Sequence, residues 1–179
     1  MAKWNLDPNH SSAIFEVRHM MVTWITGRFN TLSGTLQFDP SDVARSSVDV
    51  EIDASSICTG HDGRDEDLRS INYLDVERFP KISFKSKRVE PAGLDHCKVQ
   101  GDLFIHGVTR PVSLDVRYAG PSHYRGDARS LTTFGFRATT EINREDFGIT
   151  ANREIENGGF MVGKHLLITL TSEADLVDE

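Results

Sequence analysis

Few residues in this chain have the type and spacing that chemistry demands. His19 falls on the apolar parity of a strand-like run, near its end. It could contact a ligand head group; a histidine so placed is more often held by a neighbouring turn, and that reading is preferred. Lys164 interrupts a second apolar parity. It could pair with a ligand oxygen, or snorkel near a barrel mouth. The acidic cluster Asp62, Asp65, Glu66 and Asp67 lacks the spacing of an EF-hand and reads as a solvated helix face. Neither Cys58 nor Cys97 belongs to a C-x-x-C pair, and both read as free thiols. No two histidines sit at zinc-ligand spacing. No G-x-S-x-G elbow, Walker loop or dinucleotide fingerprint occurs. No catalytic residue, metal or cofactor is expected.

The elements that would position a site are mostly strands. Val99 to Tyr118 is the organising stretch: Val99, Leu103 and Ile105 share one parity, and Val112, Leu114, Val116 and Tyr118 share another. Successive strand side chains face opposite ways, so each run has one buried face. The segment Gly107 to Pro111 reads as the connection, with Pro111 opening the second strand. Similar alternation marks Ser12–Met20, Ser47–Asp53, a strand from Ile82 to about Val89, Phe134–Ile142 and Phe160 to about Asp175. Trp4–Asp7 is a short opening strand. Trp24–Asp39 reads as one long run bent at Leu32–Gly34. Gly120–Asp127 and Asn152–Gly159 read as loops. Leu68, Ile71 and Leu74, three apart, predict one helix between His61 and Leu74.

About eight long antiparallel strands with one apolar face each need a filled or ligand-holding interior, and closure into a barrel supplies it without edges. Residues 1–179 therefore read as a single all-β domain, an antiparallel barrel with one short helix covering part of it. Shared inward parity nominates its lumen: Phe15, Val17, His19, Phe29, Leu36, Phe38, Val50, Ile52, Phe84, Leu103, Ile105, Leu114, Val116, Phe136, Lys164, Leu166 and Ile168. Periodicity alone leaves open whether these side chains line a cavity or fill the core. The net charge of −7 argues against a nucleic-acid backbone or an anionic membrane as partner. No run is long and apolar enough to predict a membrane helix. Without a secretory signal at the start, the expected location is the cytoplasm, or the periplasm or exterior if the chain is a processed form.

Several motifs resemble the bacterial YceI-like family of lipocalin-like, polyisoprenoid-binding proteins. They are Trp4-x-x-Asp7-x-x-His10-Ser11, Phe15-x-Val17-x-His19, Gly27-x-Phe29 with Gly34-x-Leu36-x-Phe38-Asp39, Phe79-Pro80-x-Ile82-x-Phe84, Gly101–Val112 and Arg144-x-Asp146-Phe147-Gly148. The resemblance implies a long apolar lumen for a polyisoprenoid or isoprenoid quinone, in a carrier, storage or sequestering role rather than an enzymatic one. Two competing readings are an enzyme acting on a small apolar substrate and a stress or structural protein with a filled core. Self-association as a homodimer is compatible with either.

Overall fold

The computed structural model describes residues 1–126, 130–156 and 158–177. Its strands are β1 (Lys3–Leu6), β2 (Ser12–His19), β3 (Thr23–Phe29), β4 (Leu32–Gln37), β5 (Ser47–Asp53), β6 (Ile57–Cys58), β7 (Lys81–Pro91), β8 (His96–Ile105), β9 (Val108–Arg125), β10 (Ser130–Asn143), β11 (Glu154–Ile155), β12 (Gly159–Phe160) and β13 (Val162–Leu176). One α-helix, α1, spans Asp62–Arg69.

Antiparallel pairing runs β1-β4-β5-β7-β8-β9-β10-β13, and β1 pairs back onto β13, so eight strands close a barrel of lipocalin type. Strand β13 carries two partners along one edge. Its end, Ala174–Leu176, pairs with β1, and its earlier part pairs with β2. Pro8, which cannot donate to the ladder, lies in the 3₁₀ turn Pro8–His10 that divides those two strands. β3 and the short β6 extend the sheet beyond β2.

The strand faces follow the alternation in the sequence, but several boundaries differ. The central hairpin turns at His106-Gly107, both with positive φ, as a tight two-residue hairpin requires. Pro111 is therefore inside β9, opposite Asp102, rather than at its start. The expected single run over 24–39 is two strands broken at Asn30-Thr31, and Gly34 sits within β4. β9 continues through Gly120 to Arg125, with a bulge opposite Thr133–Gly135, where the composition predicts a loop; Asp127 lies outside the described residues. The second expected loop contains the small β11–β12 hairpin, and Asn157 lies outside the described residues.

The helix is shorter than its apolar spacing predicts. It ends at Arg69, where the extended Ser70 donates its backbone N–H to Asp67 O. Leu68 and Leu74 still face the interior, whereas Ile71 is 73% exposed in the turn beyond the helix. The acidic face is also not wholly solvated. Asp65 is buried and accepts from the Thr59 backbone N–H and hydroxyl. Arg64 donates to Thr59 Oγ1 and O, and Arg69 to Ser55 O and Ile57 O. Burial alone would raise the Asp65 pKa; the Thr59 hydrogen bonds and the two arginines hold it below the usual carboxylate value. These contacts fasten α1 beside β6.

Candidate ligand-binding lumen

Inside the barrel is an elongated cavity of about 260 Å³. Every aliphatic and aromatic residue nominated by parity lines it: Phe15, Val17, Phe29, Leu36, Phe38, Val50, Ile52, Phe84, Leu103, Ile105, Leu114, Val116, Phe136, Leu166 and Ile168. Tight contacts fix two of the rings. Phe15 lies over Gly27 on β3, where a Cβ would stand 2.3 Å from its Cζ. Phe84 lies over Gly101 on β8, where a Cβ would meet the ring at 2.6 Å and Lys85 O at 2.4 Å. Neither ring could hold its place against a larger neighbour.

His19 and Lys164 do not join the lining. The cause is a bulge. Val162 pairs with His19 and Leu166 with Val17, so four steps on β13 match two on β2. The extra residues turn Lys164 outward, where its Nζ sits 3.1 Å from Glu145 Oε2 and 5.7 Å from the Phe160 ring centre. His19 is the last residue of β2, and its carbonyl accepts from Val22 N–H in the Met20–Val22 turn.

The nominations missed several lining residues. Val99, Tyr118, Ile142 and Leu170 lie on the parities already read as inward. Tyr73 and Leu74 come from the irregular segment after α1; Leu74 belongs to the spacing read as helical, and Tyr73 to no apolar period. Arg144 lines the lumen and is 5% exposed. A signal for it was present: Phe134, Phe136, Ala138, Thr140 and Ile142 set an even parity on β10 that continues to 144. Among the described residues it is the one charged group in the lining. Its Nε donates to Gly163 O at 2.9 Å and its Nη1 to Ile149 O at 2.7 Å and Ala151 O at 3.0 Å. Burial pulls its pKa down, opposed by Tyr73 and Glu145, yet a guanidinium stays protonated at neutral pH.

The two ends of the lumen lie along β10. At one, Phe38 meets Phe134, Phe136 and Tyr118 edge-on, and Trp4 meets Phe134. At the other lie Ile142, Arg144, Phe147 and Ile149. From Phe134 to Arg144 is roughly 30 Å of strand at ~3.3 Å per residue. The space suits a long, thin, apolar molecule.

A family model for the YceI-like domain matches residues 4–174. The chain belongs to the YceI-like family. A UPF0312 protein of Staphylococcus aureus is 34% identical over 173 residues, 97% of each chain. A UPF0312 protein of Vibrio cholerae is 36% identical over 141 residues, covering 78% of this chain and 72% of that one. Among solved structures, BcnA of Burkholderia cenocepacia is similar with a TM-score of 0.80 at 23% identity, over 94% of this chain and 98% of BcnA. A polyisoprenoid-binding domain from Saccharophagus degradans, implicated in plant cell wall breakdown, is similar with a TM-score of 0.71 at 17% identity, over 99% and 100%. At those identities the solved structures speak for a shared YceI-like fold.

Outside the lumen, Asp7, His10 and Glu173 bring potential metal-ligand atoms within 4.8 Å of one another. His10 Nδ1 is already 2.7 Å from Asp7 Oδ2, an ion-pair distance, and 3.6 Å from Glu173 Oε2. Glu173 comes from β13, so the sequence spacing of the histidines could not reveal the group. Cys58 and Cys97 are free, and burial raises the Cys97 thiol pKa.

Proposed function

We propose that this YceI-like protein binds a linear polyisoprenoid or isoprenoid quinone in its lumen and carries, stores or sequesters it. The observation that carries the reading is the lining: a closed barrel whose cavity wall is built almost wholly from aliphatic and aromatic side chains along its length. An apolar chain needs no directional partner there, whereas a compact polar metabolite would leave its groups unpaired. Burying a few hundred Å² of chain at ~25 cal/mol per Å² is worth several kcal/mol before ordering costs. The binding named for the Saccharophagus degradans domain supports the choice of an isoprenoid. Arg144 is the one charged side chain among the described lining residues, and no carboxylate or histidine joins it there, which supports a carrier over an enzyme.

The test is a pair of substitutions at Leu103, which lines the lumen near the end of β8. Leu103→Asp is expected to abolish prenyl binding, because the carboxylate brings its hydration into the path of the chain. Leu103→Ala loosens the fit and weakens binding by a smaller factor. Circular dichroism first establishes that both variants are folded, since removing a large side chain from a wall costs stability. Folded Leu103→Asp with unchanged prenyl affinity would exclude the lumen as the site. Mass spectrometry of organic extracts from the purified protein identifies the chain it carries.

A further inference from the structure

A guanidinium offers five N–H donors. Arg144 spends three of them on Gly163, Ile149 and Ala151 carbonyls. Its Nη2 reaches only Val162 O, at 3.5 Å, and that carbonyl already accepts Asn152 Nδ2 at 2.7 Å. One Nη2–H therefore has a stretched partner, and the other has none among the described residues. Nor does a carboxylate among the described residues form a salt bridge with Arg144. Glu145, the adjacent acid, is paired with Lys164 at 3.1 Å. Buried charges are ordinarily matched by a counter-charge, because desolvation is otherwise uncompensated. Backbone carbonyls supply dipoles to Arg144, not a charge.

Tyr73 lines the same cavity, and no hydrogen bond to its hydroxyl is made among the described residues. Burial raises its pKa; Asp67 adds to that, and Arg144 and Arg153 oppose it. The phenol thus stays a donor at neutral pH, within the field of the buried Arg144 and the exposed Arg153. Spare N–H and O–H donors and a positive charge without a paired carboxylate line the same apolar tube, each group within the other's field.

We infer that Arg144 and Tyr73 form the head-group site of the lumen and select a linear isoprenoid ending in a phosphate ester over the corresponding alcohol or quinone. The inference rests on the lumen being the isoprenoid site. A phosphate oxygen accepts from Nη2 and from the Tyr73 hydroxyl, and its charge is the counter-charge Arg144 lacks. A quinone carbonyl accepts a hydrogen bond but leaves the charge unmatched. An alcohol oxygen likewise accepts, but brings no charge. Asp67 and Glu145 are opposing charges at this end, Glu145 being offset by Lys164, and a phosphate must gain more from Arg144 than it loses to them.

The experiment compares farnesyl phosphate, farnesol and a short-chain ubiquinone analogue by calorimetric titration of the full chain at neutral pH. Farnesyl phosphate is expected to bind at least about tenfold more tightly than either neutral compound, the scale of one charge-assisted hydrogen bond. Tyr73→Phe, which preserves ring and shape, should shrink that preference several-fold. On the unmodified protein, the Arg144 Nε resonance should move with farnesyl phosphate and much less with farnesol. Binding of all three compounds with equal affinity overturns the head-group assignment and leaves the lumen reading standing. Preferential binding of the phosphate with the Arg144 resonance unmoved overturns it too, since the head would then sit elsewhere. Binding of none removes the lumen reading, and this inference with it.

Discussion

At the Phe38 end of the barrel, three aromatic rings stand edge-on to Phe38 with centres 5.0–5.2 Å away, and Trp4 donates its indole N–H to Phe38 O at 3.0 Å. At the Arg144 end, a guanidinium holds the carbonyls of Gly163, Ile149 and Ala151, and keeps donor capacity over. The first end is held by area and shape, with its polar handle matched. The second is held by irregular backbone tied to one cation. Packing without directional bonds tolerates exchange among apolar groups, whereas a fork aimed at several carbonyls does not. The barrel thus has one end held by packed rings and another held by directed bonds to backbone carbonyls.

The comparison breaks most visibly under conservative substitution. Arg144→Lys keeps the charge but cannot aim donors at three carbonyls in different directions. It is expected to cost at least about 3 kcal/mol, the worth of one to two charged hydrogen bonds left unmade in a buried place. Phe38→Leu keeps most of the apolar volume and loses the ring contacts, at about 1–2 kcal/mol. Urea unfolding of both variants measures the difference. Equal costs would mean that both ends are held by packing alone.

A finer test uses the two polar handles. Trp4→Phe leaves Phe38 O without its indole donor and should cost about 1 kcal/mol beyond the lost ring area. Tyr73→Phe removes a hydroxyl bonded to no described residue, so ligand-free stability should change by less than about 0.5 kcal/mol. A large loss from Tyr73→Phe would show that its hydroxyl is already committed within the protein, and would count against its place in the head-group site.

The difference between the ends also explains what is legible in the sequence. Phe38, Phe136 and Tyr118 lie on or beside strands whose period is two, so alternation alone gives their faces. The aliphatic wall is legible for the same reason. Lys164 shares the parity of Leu166 and Ile168, yet the bulge before Leu166 turns it out; two extra residues break the alternation there, and nothing local in the sequence announces them. Ile71 fails differently. Its spacing from Leu68 and Leu74 is helical, but Ser70 ends the helix and sends Ile71 into solvent. Arg144 is reachable by extending the β10 parity by one step; its charge argues for a turn, and the carbonyls that accept from it lie five to nineteen residues further along the chain.

The smallest expected effect concerns charge outside the wall, near the Trp4 end. His10 sits between Asp7 at 2.7 Å and Glu173 at 3.6 Å, with its side chain exposed to water. The hydrogen bond to Asp7 raises the His10 pKa above 6.5, with Glu173 and Asp175 adding to it; the same bond, with that from Asn9 N–H, lowers the Asp7 pKa below 3.8. The folded state therefore keeps the His10 proton at pH values where the unfolded chain has released it. Stability from this group is complete below 6.5 and is lost as pH rises through the folded value; the Asp7 contribution is complete above 3.8 and is lost as pH falls through its lowered value. Water screens so exposed a pair, so the readout should be the titration rather than the melting point. The His10 ring protons followed by NMR should titrate with a midpoint above 6.5, and Asp7→Asn should bring that midpoint down. A midpoint at or below 6.5 in the unmodified protein would mean that Asp7 and Glu173 do not hold His10 in solution. The aromatic end would then be carried by its packing and the Trp4 indole bond, without the ion pair on its outer face.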